Sequence, residues 1–464
     1  MEASIKTRVA AIIFLTLVTA ALTILAGLDK NQIVAITLFS LKTYETIFLW
    51  RYRLAFAFMA LFLLLGFGVL DIPHLIEFAS FDVILFLVSM MTVVGFLEEK
   101  AFFEYLINKI VKIVGLNADK LITTLMLTAA LFAALVDEVT SILFMTTVIL
   151  HLTARYKVNP IPFILMTVFT TNIGSSATVI GNPVGVMIAF KGGLTFLDFL
   201  RWATPISILG LVLTILLSRR LFSNDIRALD SSMKIIGEIS EEEEKSISDR
   251  DLITCWAIFI GTITFLALHH PLEELLHLEK NTLLIGTAMA SASITLLIDL
   301  EKGREVIARR VDWRTILFFA LLFASVGTLQ YVGVSKVLAE SLLSLSKGGG
   351  IPLLVLFTSV AAVLSGFLDN VLAVAMFIPV ISAMKEAGAH TFPLWWGMLF
   401  AGTFFGNLTI IGSTANIVAN GLLERERGEH ISFLDWIRKG ALISVVTLAL
   451  AIILIYLQIP IMPR

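Results

Sequence analysis

The chain carries little charge. Only 15% of its 464 residues are Asp, Glu, Lys or Arg, and 58% are apolar, whereas soluble domains are usually about a quarter charged. With a mean hydropathy of +0.94, a soluble globular protein is excluded. Cysteine is almost absent. The single Cys255 lies within an apolar run, so one chain can build neither a disulfide framework nor a multi-thiolate metal site. No glycine-rich phosphate loop is present, so an ATP-driven pump would need a separate ATPase subunit as partner. His151, His269, His270 and His277 fall near the ends of apolar runs or in a loop. A nucleophile with its base, or a metal set at membrane depth, is therefore missing, which argues against an intramembrane enzyme. The net charge of −2 points to no partner, and no nucleic-acid contact is expected.

What the chain has in abundance is apolar runs of membrane-crossing length, roughly 18 to 22 residues for a hydrocarbon core about 30 Å thick. Eleven lie near residues 8–28, 32–50, 53–71, 82–98, 160–190, 199–219, 251–269, 281–299, 313–332, 393–422 and 439–459. The first follows Lys6 and Arg8 in the manner of a secretory signal, but ten further runs favour a retained anchor. The second is interrupted by Lys42 and Glu45. The expected fold is an all-α polytopic protein with about 11 transmembrane helices, embedded in the plasma or inner membrane.

The chain also repeats itself. AALVDEVTSILFMTTVIL around Asp137 matches SGFLDNVLAVAMFIPVI around Asp369 at an offset of 232 residues. SSATVIGNPVGV from Ser175 matches GNLTIIGSTANIV from Gly406 at 231, and TFLDFLRWATPIS from Thr195 matches SFLDWIRKGALIS from Ser432 at 237. Blocks in one order at nearly one offset indicate an internal duplication. The expected organisation is a pair of N-terminal helices (1–50), a first repeat (51–219), a polar cytoplasmic linker (220–250) containing the run Glu241 to Glu244, and a linking helix with a second repeat (251–464). The regions 118–153 and 350–385 are apolar but carry Asp137 and Glu138, or Asp369 and Asn370, at their centres. A straight helix would expose these groups to lipid, whereas a re-entrant hairpin buried in protein tolerates them. Five runs then separate the hairpins, and an odd number inverts the second repeat. Charge counting agrees, because a cytoplasmic N-terminus and an outside C-terminus place 25 of the 34 basic residues inside.

Chemistry concentrates in two interrupted segments. Gly174, Gly181, Pro183 and Gly185 disfavour continuous helix between Thr171 and Ala189. A break there turns Asn172, Ser175, Ser176, Thr178 and Asn182 toward a cavity. The second copy offers Gly406, Asn407, Thr409, Gly412, Ser413, Thr414 and Asn416. Helices that restart in mid-membrane present N–H groups to an anion, and unwound carbonyls suit a cation such as Na⁺, so paired broken helices mark a transporter's site. Glycines that merely allow close helix packing are the alternative. Asp137 and Asp369 are candidate ion or proton ligands, or else helix caps. Adjacent carboxyls in a poorly solvated cavity oppose joint ionisation, so Asp137 or Glu138 could hold a proton. No cofactor is expected beyond a coupling ion, H⁺ or Na⁺, with Na⁺ near Asp137, Asn172, Asp369 and Asn407.

At these residues the sequence resembles the ArsB/NhaD branch of the ion transporter superfamily, which also includes the divalent anion/sodium symporters. An Asp-Asn hairpin tip is similar to Asp369 and Asn370, and Glu138 departs from it in the first copy. The family's Asn-Ile-Gly-Gly-Thr-Ala-Thr-x-Ile-Gly-Asp-Pro-Pro-Asn is similar to Asn172 through Gly185, with Ser175, Ser176, Asn182, Val184 and Gly185 as departures. Its second signature is similar to Gly406 through Asn416. The resemblance implies a homodimer with a scaffold and a moving transport domain, working by alternating access. The expected activity is secondary transport of an inorganic or carboxylate anion, arsenite-type or citrate-like, coupled to H⁺ or Na⁺. Because Cys255 lies outside the broken segments, thiolate recognition of arsenic is not supported. A Na⁺/H⁺ antiporter is the alternative, mildly favoured by the lack of Lys or Arg within the broken segments, and a channel is argued against by the repeat.

Overall fold

Apolar runs of this length can satisfy their backbone in lipid only as helices, and the chain does so throughout. The computed structural model describes residues 2–114, 117–236 and 247–463, and every regular element among them is helical. Nine helices among the described residues are long and apolar enough to cross a membrane, and four shorter apolar ones accompany them. The long set includes hairpin arms Ala118–Leu135, Glu138–Tyr156 and Gly350–Phe367. An 18-residue arm is about 27 Å long, so each arm has nearly the reach of a full span.

Burial sorts the helices into an outer and an inner set. Glu2–Leu25 shows large apolar side chains outward, among them Phe14, Leu17 and Leu25, as a lipid-facing helix should. The broken helices lie at the opposite extreme. In Ile161–Gly174 every residue from Pro162 to Gly174 is buried, as is every residue of Phe392–Thr403 from Pro393 onward. Around them stand the first hairpin (Ala118–Leu135 and Glu138–Tyr156) and the second hairpin (Gly350–Phe367 and Asn370–Glu386).

The two sets of inner elements are interlocked. The second half of the first broken helix, Pro183–Gly192, packs against Asn370–Glu386 of the second hairpin. Conversely, Thr414–Arg427, the second half of the other broken helix, packs against Glu138–Tyr156 of the first hairpin. Neither hairpin is completed by its own copy alone.

Two stretches differ from a plain reading of polarity. Lys30–Phe48 is a helix started by an Asp29 capping box, and its Lys42 and Glu45 turn inward, both buried. Within 220–250, Ser223–Ile236 is an amphipathic helix that buries Ile226, Leu229 and Met233 against the first hairpin. The run Glu241 to Glu244 lies outside the described residues.

Candidate functional site

The first broken helix is interrupted where glycine and proline disfavour continuity, and the second where glycine alone does. Ile161–Gly174 ends, a 3₁₀ turn spans Val179–Gly181, and Pro183 opens the next helix. In the other copy, 3₁₀ turns Phe405–Leu408 and Ile410–Gly412 separate Phe392–Thr403 from Thr414–Arg427. The break requires close backbone approach. A Cβ on Gly412 would sit 2.6 Å from the Gly406 carbonyl oxygen, and one on Gly181 would strike the Ser175 carbonyl at the equivalent place. Only glycine fits either position.

The breaks are pinned to the hairpins by matching hydrogen bonds. Thr178 donates to the Ala134 carbonyl, and Thr409 donates to the Gly366 carbonyl at 2.6 Å. Each restarting helix is then capped by its own side chain. Asn182 Oδ1 accepts from Gly185 N at 2.7 Å, and Ser413 Oγ accepts from Ala415 N at 3.2 Å.

At the hairpin tips the capping alternative is realised in both copies. Asp137 Oδ1 accepts from Val139 N and Thr140 N, each at 2.8 Å. Asp369 Oδ1 accepts from Val371 N at 3.1 Å and Leu372 N at 3.4 Å, and its other oxygen accepts from Thr414 Oγ1 at 3.2 Å. Capping does not exhaust Asp369, whose second oxygen faces the break.

Between the two breaks lies a polar crossing. Asn172 Nδ2 donates to Asn407 Oδ1 at 2.7 Å and to Asn416 Oδ1 at 2.8 Å, while Asn172 Oδ1 accepts from Ser413 Oγ at 3.0 Å. Asn416 Nδ2 in turn satisfies the carbonyls of Gly406 and Thr409 at 2.8 and 2.7 Å. These amides are fully buried and occupied by one another, so they hold the crossing together. Ser176 is likewise engaged, with Ser207 and the Ile173 carbonyl, both at 2.7 Å.

The unsatisfied groups sit beside the crossing. Glu138 is 1% exposed. Its Oε2 accepts from Ser175 Oγ at 3.2 Å, and Ser175 Oγ accepts from Asn182 Nδ2 at 2.7 Å. Its Oε1 is buried without a hydrogen-bond partner, as are Asn370 Nδ2 and Thr171 Oγ1. The Asn370 amide lies beside Glu138 without forming a hydrogen bond of normal geometry. The Asp369 tip bonds Thr414, whose helix packs against the arm that Glu138 opens, so both hairpins meet at the second break. Carboxylates buried as fully as Glu138 and Asp369 are costly to keep charged without a compensating cation or proton. No cluster of three or more His, Cys, Asp or Glu able to hold a metal ion occurs among the described residues, so Na⁺ here would draw on hydroxyls and carbonyls as well.

Arg53 was missed by sequence reasoning. It is buried, donates to Thr315 Oγ1 at 2.9 Å, and lies 3.9 Å from the centre of the Trp50 ring and 4.9 Å from that of Phe318. A basic residue heading an apolar run gives no local signal of this. Cys255 is buried in Asp249–Leu276, outside both broken segments.

Two broken helices and two acid-tipped hairpins meeting in an all-helical membrane protein define a multi-pass membrane transporter, not an enzyme. The chain belongs to the citrate transporter family of the ion transporter superfamily, which it matches over residues 36–344 and 329–463. It is 34% identical over 385 residues to an uncharacterized transporter of Mycobacterium tuberculosis, covering 82% of this chain and 86% of that one. A 46 kDa membrane protein of Mycobacterium leprae is 33% identical with the same coverage. The human P protein is 27% identical over 81% of this chain and 53% of its own length. The crystal structure of the YdaH transporter of Alcanivorax borkumensis shares the fold, with a TM-score of 0.57 at 15% identity over 84% of this chain and 87% of that one.

Proposed function

We propose that the chain is a secondary active transporter that moves a citrate-like carboxylate anion together with H⁺ or Na⁺ by alternating access between two inverted repeats. The observation that carries this reading is that Glu138 Oε1 and Asn370 Nδ2, an acceptor and a donor at equivalent positions of the two hairpin tips, are both buried without a hydrogen-bond partner. A proton or Na⁺ neutralises the acids, and an anion meets the Asn370 amide and the N-terminal ends of Pro183–Gly192 and Thr414–Arg427. Membership of the citrate transporter family supports a carboxylate over arsenite. The homodimeric, elevator-like arrangement implied by the resemblance belongs to the same proposal.

One observation favours a second reading. Glu138 adds a carboxylate where the other tip has Asn370, which suits Na⁺/H⁺ antiport. Proteoliposomes with an imposed proton or Na⁺ gradient, offered labelled citrate and shorter dicarboxylates, separate the two. Gradient-driven carboxylate uptake is expected. Na⁺-triggered proton flux with no response to any carboxylate would establish the antiporter instead.

A further inference from the structure

Thr204–Leu221, the start of the first hairpin and the helix Ser223–Ile236 surround a cleft of about 600 Å³, within the usual size range of small-molecule sites. Arg219, Arg220 and Arg227 line it, together with the acids Asp119 and Asp230. Both acids are already neutralised. Arg219 grips Asp119 through Nε at 2.9 Å and again through Nη2, and Lys234 Nζ lies 2.6 Å from Asp230 Oδ2. The other two arginines have no acid. Arg227 donates to Asn224 Oδ1 at 2.7 Å and to the Ser223 carbonyl at 3.3 Å, neutral acceptors that hold the guanidinium without cancelling its charge. Arg220 is exposed and forms no ion pair or hydrogen bond among the described residues. Asp225, the remaining acid of Ser223–Ile236, does not line the cleft.

The apolar side of the cleft continues along one helix. Leu216 lines it and is 58% exposed, and Val212 and Leu209 are 49% and 48% exposed. Steps of four and three residues put Arg220, Leu216, Val212 and Leu209 on one side of Thr204–Leu221. This helix belongs to a stretch long and apolar enough to cross a membrane, so in a bilayer the exposed track meets acyl chains and ends at two guanidiniums that no acid neutralises. Arginine's planar fork gives two parallel bonds to a phosphate. A soluble anion would use the arginines alone, whereas a phospholipid uses the charge and the track together. Charge counting also puts this face inside, where anionic lipid attracts basic side chains.

We propose that this cleft binds an acidic phospholipid, its phosphodiester held by Arg220 and Arg227 and an acyl chain laid along Leu216, Val212 and Leu209. The lipid also has a structural consequence. Asn117 caps the first arm of the first hairpin by accepting from Lys120 N at 2.8 Å, and Asp119 of that arm is held by Arg219, next to Arg220. A headgroup in the cleft therefore fastens the base of the hairpin that carries Glu138 to the membrane surface. The proposal does not depend on which ion or anion is transported.

The test follows the thermal midpoint of the full chain, delipidated in neutral detergent, as phosphatidylglycerol or phosphatidylcholine is added. Phosphatidylglycerol should raise the midpoint of wild type, and phosphatidylcholine should not. In Arg220→Gln/Arg227→Gln the half-saturating phosphatidylglycerol should rise about tenfold to thirtyfold, the effect of removing two surface cations. Arg304→Gln/Arg309→Gln, which removes exposed arginines from Leu300–Arg309, should respond as wild type does. A cleft variant that keeps the wild-type response, or a control that loses it, would overturn the proposal. Stabilisation by glycerol phosphate equal to that by the lipid would also overturn it, by showing an anion site with no use for the acyl chain. Wild type alone gives a second measurement should the double variant not fold. Its phosphatidylglycerol effect should vanish at about 1 M NaCl, where screening shortens to about 3 Å. An effect indifferent to salt refutes the headgroup contact, and a midpoint that ignores lipid but follows protein concentration assigns the track to a second copy instead.

Discussion

The two hairpin-and-break units share a frame and differ in chemistry. In each, a threonine ties the break to a hairpin carbonyl, a glycine lets two backbone segments touch, and an aspartate caps the hairpin's second arm. The positions that differ are those that face the unsatisfied space. Glu138 in the first unit stands where Asn370 stands in the second, and Asn182 caps the restart that Ser413 caps in the other. Only the second unit has its tip aspartate bonded across to the break, through Thr414. In the proposed function, the shared frame positions the ligand and the asymmetric residues select it.

The comparison breaks hardest at Asp369. Asparagine retains a capping oxygen but removes the charge, so Asp369→Asn should reduce ion-coupled transport to background while the thermal midpoint moves by no more than about 1 kcal/mol of stability. Full activity in that variant would reduce Asp369 to a cap. Next come the glycines. Gly181→Ala and Gly412→Ala each drive a Cβ into a backbone carbonyl, and each should cost about 3 kcal/mol, read as loss of folded protein in detergent. Tolerance of one but not the other would show that the two frames are not equivalent.

Glu138→Gln should be milder, because the Ser175 bond can persist to an amide oxygen while the charge is lost. A roughly tenfold change in half-saturating Na⁺ or proton concentration is expected, and no change in either ion would remove Glu138 from the coupling site. Smallest are Thr178→Val and Thr409→Val. Each should cost about 1 kcal/mol by loss of one buried hydrogen bond, with equal shifts in midpoint if the units are mechanically alike.

The breaks and hairpin tips were readable because glycine, proline and acids inside an apolar run contradict a simple membrane helix. Their partners were not. Asn172 reaches Asn407 and Asn416 across 235 and 244 residues, and no local pattern specifies which amides meet. Sequence reasoning therefore treated the three asparagines as open ligands, whereas they satisfy one another. Arg53 was missed because a cation at the end of an apolar run looks the same whether it reaches water or packs against buried rings. The helix Ser223–Ile236 was a different kind of omission, since Ile226, Leu229 and Met233 already recur at helical spacing and the abundance of charge around them hid it.

The exchange of broken-helix halves between the two units bears on how the chain is made. A nascent chain emerging from the ribosome delivers the first hairpin and Asn172 long before residues 407–416 exist. Until then the first break has its amide and Glu138 without their distant companions, and the second arm of the first hairpin lacks Thr414–Arg427 against it. Assembly of the polar crossing is thus a late event in synthesis, and a chain truncated before about residue 405 would leave Asn172 without Asn407, Asn416 and Ser413.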